Sequence, residues 1–144
     1  MVLSRAIADA IVAQARAESP LESCGLVIGS TAAASGGVAL RYEACRNADA
    51  SPVRYTIDPD DLFRLTVAAG DADEVFWGIV HSHVLSPAVP SRTDIGRALY
   101  PEALYLLVSL AVDQADPVTG APSLRAWRIL AGVVFEVGLV VEVT

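Results

Sequence analysis

Apolar positions recur at helical spacing over the first part of the chain. Within residues 3–18, Ile7, Ile11, Val12 and Ala15 share one face, which predicts an amphipathic helix ended by Ser19-Pro20. The pattern then shifts to short apolar runs. "CGLVIGS" reads as a buried strand, "TAAASGG" (31–37) as a turn, and "VALRYEACR" alternates well enough to be the partner strand. "RYTIDPDDLFRLTVAAG" predicts a strand entering a helix near Asp58-Pro59, where proline suits the first turn. "EVFWGIVHSH" predicts a strand, "SRTDIGRALY" a helix, and "ALYLLVSLAV", the most apolar run, a central strand. After the loop "DQADPVTGAP", the runs "LRAWRIL" and "VVFEVGLVVEV" predict a hairpin around Ala131-Gly132 that closes the sheet.

Sequential strands without intervening helices exclude a regular doubly wound parallel sheet. The order predicts an α/β fold: a curved mixed β-sheet flanked by helices, in a single domain over residues 1–144. Trp77, Trp127, Cys24 and Cys45 fall in apolar strands and read as core.

Composition narrows the function. The chain has 144 residues, enough to bury a core unaided. Hydrophobic residues make up 53% of it, and the mean hydropathy is +0.48, yet no apolar stretch reaches the length of a membrane span. Arg5, Asp9 and Arg16 interrupt the first helix, which reads as part of a mature cytoplasmic protein and not as a secretion signal. The net charge is −7, with ten basic residues, all arginine. That balance disfavours nucleic acid and anionic membranes as partners. Two cysteines do not make a disulfide framework.

The candidate chemistry lies in "GIVHSHVLSPAVPSRTDIGRA", residues 78–98. On a strand, residues two apart point to the same face, so His81 and His83 can converge on one point. They are the only two histidines in the chain. Asp94 follows at reachable distance and would complete the two-imidazole, one-carboxylate set of a hydrolytic zinc site. Ser91-x-x-Asp94 is equally a capping-box pattern, and the two roles are compatible. A hydrolase also needs a general base in an apolar wall. Glu22, directly before the first strand, is a candidate, although a solvated connection would read the same way. Arg92 could pair with a substrate carboxylate or simply start a solvated helix. Asn47, Ser51 and Tyr55 read as turn residues that could line a groove for an extended tail.

Taken together, Glu22, His81-x-His83, Ser91 and Asp94 resemble the JAMM motif of the MPN+ metalloprotease family. "PLESCGLVIG", "RNADASPVRYTIDP" and "HSH…PSRTD" followed by "YLLVSL" are most similar to its small bacterial branch, which contains the CysO-cysteine peptidases. The resemblance runs over roughly residues 3–130 and implies a cytidine-deaminase-like JAMM/MPN fold. It implies one Zn2+ held by His81, His83 and Asp94, with Glu22 as the base that moves the proton of the attacking water and Ser91 as the donor to the oxyanion. It further implies a metallopeptidase or isopeptidase that hydrolyses the amide after the Gly-Gly tail of a small ubiquitin-like sulfur carrier protein. The group released would be cysteine or a short adduct, and a homodimer is the expected assembly if the chain is not monomeric. Val84 stands where many relatives have proline, and the loop "VLSPAVP" is apolar, which touches substrate choice and not the ligands. The alternative reading is a non-catalytic MPN scaffold or binding module. A relative resembling the DNA-repair-associated RadC proteins is disfavoured by the acidic charge.

Overall fold

The computed structural model describes residues 1–144. A two-residue strand β1 (Val2–Leu3) precedes Ser4, whose hydroxyl accepts the Ile7 amide and caps α1 (Arg5–Glu18). The helix expected from residue 3 therefore begins at Arg5, because Leu3 is taken into a strand. Helix α1 buries Ile7, Ile11 and Ala15 as the spacing predicts, with Ala8 buried beside them and Val12 only half-buried. Strands β2 (Cys24–Gly29) and β3 (Ala39–Cys45) follow, then α2 (Pro59–Asp71) and β4 (Val75–His83). Asp58 caps α2 by accepting the Asp60 amide, with Pro59 in the first turn as expected. The short α3 (Arg92–Gly96) leads to β5 (Leu104–Ser109), β6 (Ser123–Leu130), β7 (Val133–Val137) and β8 (Val140–Val141).

The main sheet is mixed, in the order β3-β2-β4-β5-β6-β7. Only β4 and β5 run parallel; every other neighbouring pair is antiparallel. The apolar run at residues 103–112 does supply a middle strand, buried at all six positions of β5. The β6–β7 hairpin turns at Ala131 and Gly132, both at positive φ (50° and 80°).

Three further expectations need correction. Residues 54–57 do not form a strand; only an isolated bridge joins Ile57 to Asn47. The helix expected over 91–100 stops at Gly96, a weak helix former, and the Leu99 and Tyr100 amides instead donate to the Tyr105 hydroxyl. The last apolar run breaks after Val137 at Gly138, and β8 leaves the main sheet to pair in parallel with β1. No helix is long and apolar enough to cross a membrane.

The core divides between the two faces of the sheet. One cluster sets α1 against Val27, Trp77, Val80, Leu104, Leu106 and Val108. The other gathers Cys24, Leu26, Leu65, Ile79, Tyr105, Leu107 and Trp127 under α2. A register shift in the β2–β4 pairing, between Val27 and Ile28, sits at the point where Trp77 faces α1 while Ile79 faces α2. From Ile79 onward, odd-numbered residues of β4 lie on the α2 face, which commits His81 and His83 to that side. Trp77 and Trp127 are both core, and each indole N–H finds a carbonyl, of Gly37 and Ala88 respectively.

Gly25 allows the closest backbone approach in β2. A Cβ there would collide with the Tyr42 hydroxyl and would meet the Glu43 carbonyl oxygen at 2.6 Å. Gly25→Ala is expected to destabilise the protein by about 1–3 kcal/mol, through overpacking against backbone that cannot yield. Urea unfolding at constant m-value measures it.

Candidate metal centre

The end of β4 is built by pairing with β2. Cys24 stands opposite His81, and the ladder extends through Ser23 and Ser82. The Ser23 amide donates to Ser82 Oγ at 2.8 Å, and the Ser82 amide to Ser23 O at 3.1 Å. Continued by one residue, this register places Glu22 opposite His83. The next segment, 84–90, is tied down at three successive carbonyls: Ser86 O accepts from Ser109 Oγ, Pro87 O from His83 Nδ1 and Ala88 O from the Trp127 indole. This brings α3 back over the strand end.

There the capping box forms in full. The Asp94 amide donates to Ser91 Oγ at 3.1 Å, and the Ser91 amide donates to Asp94 Oδ2 at 2.8 Å. The same Oδ2 lies 3.1 Å from His81 Nε2 and 3.2 Å from His83 Nε2, and the two Nε2 atoms are 3.2 Å apart. The cap and the contact with both imidazoles therefore coincide in one carboxylate. His81 is fully buried and His83 nearly so.

The donor set fits a divalent transition metal. His83 Nδ1 lies 2.7 Å from the Pro87 carbonyl, which can only accept, so in the neutral ring Nε2 carries its lone pair toward Asp94 and His81. Four-coordinate zinc, with bonds of about 2.0 Å, has ligand–ligand edges of about 3.3 Å, close to the triangle found here. Two imidazoles and one carboxylate leave a fourth position open, the pattern of catalytic rather than structural zinc.

Glu22 is buried, 4% exposed, and its Oε1 has no hydrogen-bond partner. Burial pushes its carboxyl up to about 7; the proximity of His83 opposes this and that of Asp94 adds to it. The neighbouring ligand candidates move differently. Burial pushes His81 below its ordinary value. For His83 burial acts the same way, but hydrogen bonds to Asp94 and to Pro87 O outweigh it and leave the ring above its usual value. Burial alone would raise Asp94, yet bonds from both imidazoles and the Ser91 amide hold it far below the carboxylate range. One corner thus holds a carboxylate kept ionised beside a carboxyl poised near neutrality, two groups whose environments drive them apart.

The five residues singled out in the sequence converge or adjoin, and Ser91 keeps an uncommitted hydroxyl proton at the exposed rim. Asn47 and Ser51, in contrast, line no groove. Both are buried, and they hold Glu22: its amide donates to Ser51 O at 2.9 Å, and its carbonyl accepts from Asn47 Nδ2 at 3.0 Å. Tyr55 lies flat on His81, with ring centroids 4.3 Å apart and planes 20° apart. Arg92 is exposed and makes no ion pair. Cys24 and Cys45 are free and buried, and burial pushes both thiols up to about 12, which excludes them as nucleophiles. Sequence reasoning missed the Pro87 carbonyl, which fixes the His83 tautomer, and Arg97, which donates to Tyr55 O and Thr56 Oγ1. Neither carries a signal in the sequence, since both act through contacts that only the folded chain creates.

Comparison with known proteins places the chain in a family. The family described as prokaryotic homologues of the JAB domain matches residues 4–130. The CysO-cysteine peptidase of Mycobacterium tuberculosis is 37% identical over 136 residues, covering 94% of this chain and 87% of that protein. The desampylase of Haloferax volcanii is 34% identical over 106 residues, covering 70% of this chain and 74% of that protein. AF2198 from Archaeoglobus fulgidus, a JAB1/MPN domain protein, superposes with a TM-score of 0.59 over 98% of both chains at 20% identity, a likeness of fold.

Glu22 also makes a pH signature. Its folded value near 7 lies above the ordinary 4.5, so between those values the folded chain holds a proton that the unfolded chain has lost. That contribution is present below about 4.5 and is lost as pH rises through about 7. Metal-free Glu22→Gln is therefore expected to gain stability over the wild type across this window, by up to about 3 kcal/mol, and to level off above it. Denaturant unfolding of both proteins in chelator from pH 5 to pH 8 measures the gap.

Proposed function

The chain belongs to the family of prokaryotic JAB-domain homologues and is a hydrolase of that family, and from this we propose that it is a zinc-dependent peptidase acting on a small ubiquitin-like sulfur carrier protein. The bond cut is the amide after the carrier's C-terminal Gly-Gly, and the group released is cysteine or a short adduct. The observation that carries the reading is Glu22: a buried carboxyl, raised to about 7, with one oxygen unpartnered beside the His81–His83–Asp94 triangle. A purely structural acid would be paired or exposed.

His81, His83 and Asp94 are the residues that would hold the ion. Zinc there would supply a Lewis acid, polarising the substrate carbonyl and lowering the pKa of a water. Glu22 takes the proton of the attacking water through its free Oε1 and delivers it to the leaving amine, a two-way role that suits a group titrating near 7. Ser91 donates a hydrogen bond from its hydroxyl to the carbonyl oxygen as negative charge develops there, while its amide and Oγ keep α3 capped on Asp94. No side chain forms a covalent bond to substrate; both buried thiols are too basic and too enclosed.

Support for the substrate comes from the relatives. One is named for a CysO-cysteine conjugate and another as a desampylase. A Gly-Gly tail suits a reactive corner set this deep, because backbone without side chains passes closest to the ligands.

The test is intact-mass spectrometry of a sulfur carrier protein ending in Gly-Gly-Cys, incubated with the protein with and without a zinc chelator. Loss of one cysteine is expected, and chelation abolishes it. Glu22→Gln should slow it by about 10²–10⁴, and Ser91→Ala by about 10²–10³. An uncut carrier beside stoichiometric zinc would overturn the substrate. Cleavage that persists in chelator would overturn the metal mechanism.

A further inference from the structure

His83 has a hydrogen-bond acceptor to fix its ring, and His81 has none. The Nδ1 atom of His81 is buried and without a partner, whereas His83 Nδ1 is held on Pro87 O at 2.7 Å. Metal-ligating histidines are ordinarily oriented by an acceptor on the nitrogen that does not bind the ion. The ring that lies flat on His81 is Tyr55, stacked at 4.3 Å and 20°, whereas His83 meets it edge-on at 5.0 Å. We propose that Tyr55 is a positioning residue that fixes the plane of His81 for metal binding, replacing by ring stacking the acceptor that His81 lacks; this rests on His81, His83 and Asp94 being metal ligands.

The tyrosine is itself held from both ends. Its carbonyl accepts from Arg97 Nη1 at 3.1 Å, and the adjacent Thr56 hydroxyl accepts from Arg97 Nη2 at 2.5 Å. On the inner side Asn47 clamps the same strap: Nδ2 donates to Arg54 O at 3.0 Å, and Oδ1 accepts the Thr56 amide at 3.1 Å. Asn47 Nδ2 also reaches Glu22 O at 3.0 Å. One asparagine thereby sets both the backbone of the base and the plate that covers a ligand. Tyr55 also borders a cavity of about 150 Å³ that includes Ile57, Leu62, Ile79 and Tyr105. A different side chain at position 55 has room to settle there without overpacking, and without Tyr55 that room would leave the His81 ring free to rock.

The experiment is zinc affinity, read by competition with a chromophoric chelator, for the wild type, Tyr55→Phe, Tyr55→Leu and Arg97→Gln. Ring nitrogen spectra of the zinc-loaded proteins accompany it. Tyr55→Phe keeps the stack and is expected to bind within about twofold of the wild type. Tyr55→Leu is expected to bind about 10–100-fold more weakly, the usual cost of losing an orienting neighbour of a ligand. In its spectra the His81 ring signals should broaden while those of His83, anchored on Pro87, stay single. Arg97 is on the surface, so its loss does not threaten folding. Loosening the strap from outside should still weaken zinc binding severalfold, which keeps the test decisive if Tyr55→Leu fails to fold. Wild-type affinity in both Arg97→Gln and any folded Tyr55→Leu, with His81 signals unchanged, would overturn the proposal while leaving the metal site intact. A wild-type protein that binds no zinc would overturn the ligand assignment as well.

Discussion

The register of β2 against β4 is the constraint on which the site depends. Cys24 opposite His81, extended by the paired bonds between Ser23 and Ser82, puts Glu22 level with His83. A slip of one residue would turn both histidines toward α1 and leave Glu22 beside a serine. Close approaches at two glycines of β2 hold it between its neighbours, the first against β3 and the second against β4. A Cβ at Gly25 would strike Tyr42, and one at Gly29 would meet the Trp77 side chain at 2.7 Å. The register shift beside Trp77 then serves both faces at once, giving the indole to the α1 core and the imidazoles to the opposite side. Packing on one face thus decides the chemistry on the other.

A second economy lies in Asp94. Its Oδ2 accepts the amide that completes a capping box and also faces both Nε2 atoms, so the conformation that starts α3 is the one that aims this oxygen at the two imidazoles. Helix α3 is too short to be stable alone. Its position comes from the loop before it, whose carbonyls at 86, 87 and 88 are fixed by Ser109, His83 and the core Trp127. The apolar character of that loop costs nothing in ligand geometry, because its backbone, not its side chains, does the anchoring.

What the sequence disclosed follows from which contacts are local. Alternation on a strand is a period of two, so the shared face of His81 and His83 was legible, as were the Ser91–Asp94 spacing and the turn at Ala131-Gly132. Glu22 was only a candidate, since nothing local shows that its carboxyl is dry. The role of Asn47 was misread for the same reason: a polar residue after a strand resembles a solvated turn, and only the fold shows its amide spanning Glu22 and Arg54. The helix end at Gly96 and the break at Gly138 were both marked by glycine, but a single glycine is tolerated often enough that tertiary pairing settles the boundary.

The electrostatics of the corner close the account. Without a cation, the site must desolvate Asp94 and Glu22 together. It does so by giving Asp94 three hydrogen bonds and by leaving Glu22 largely protonated below about 7. A divalent ion on the same ligands would reverse the second choice, because positive charge nearby favours the carboxylate. Ion binding and loss of the Glu22 proton are then linked, and each favours the other as pH rises. Below about 7 the corner therefore carries one neutral acid beside one carboxylate and not two like charges at close range. Two buried side-chain atoms are left without a partner in the protein, Glu22 Oε1 and His81 Nδ1, and both belong to residues of this corner.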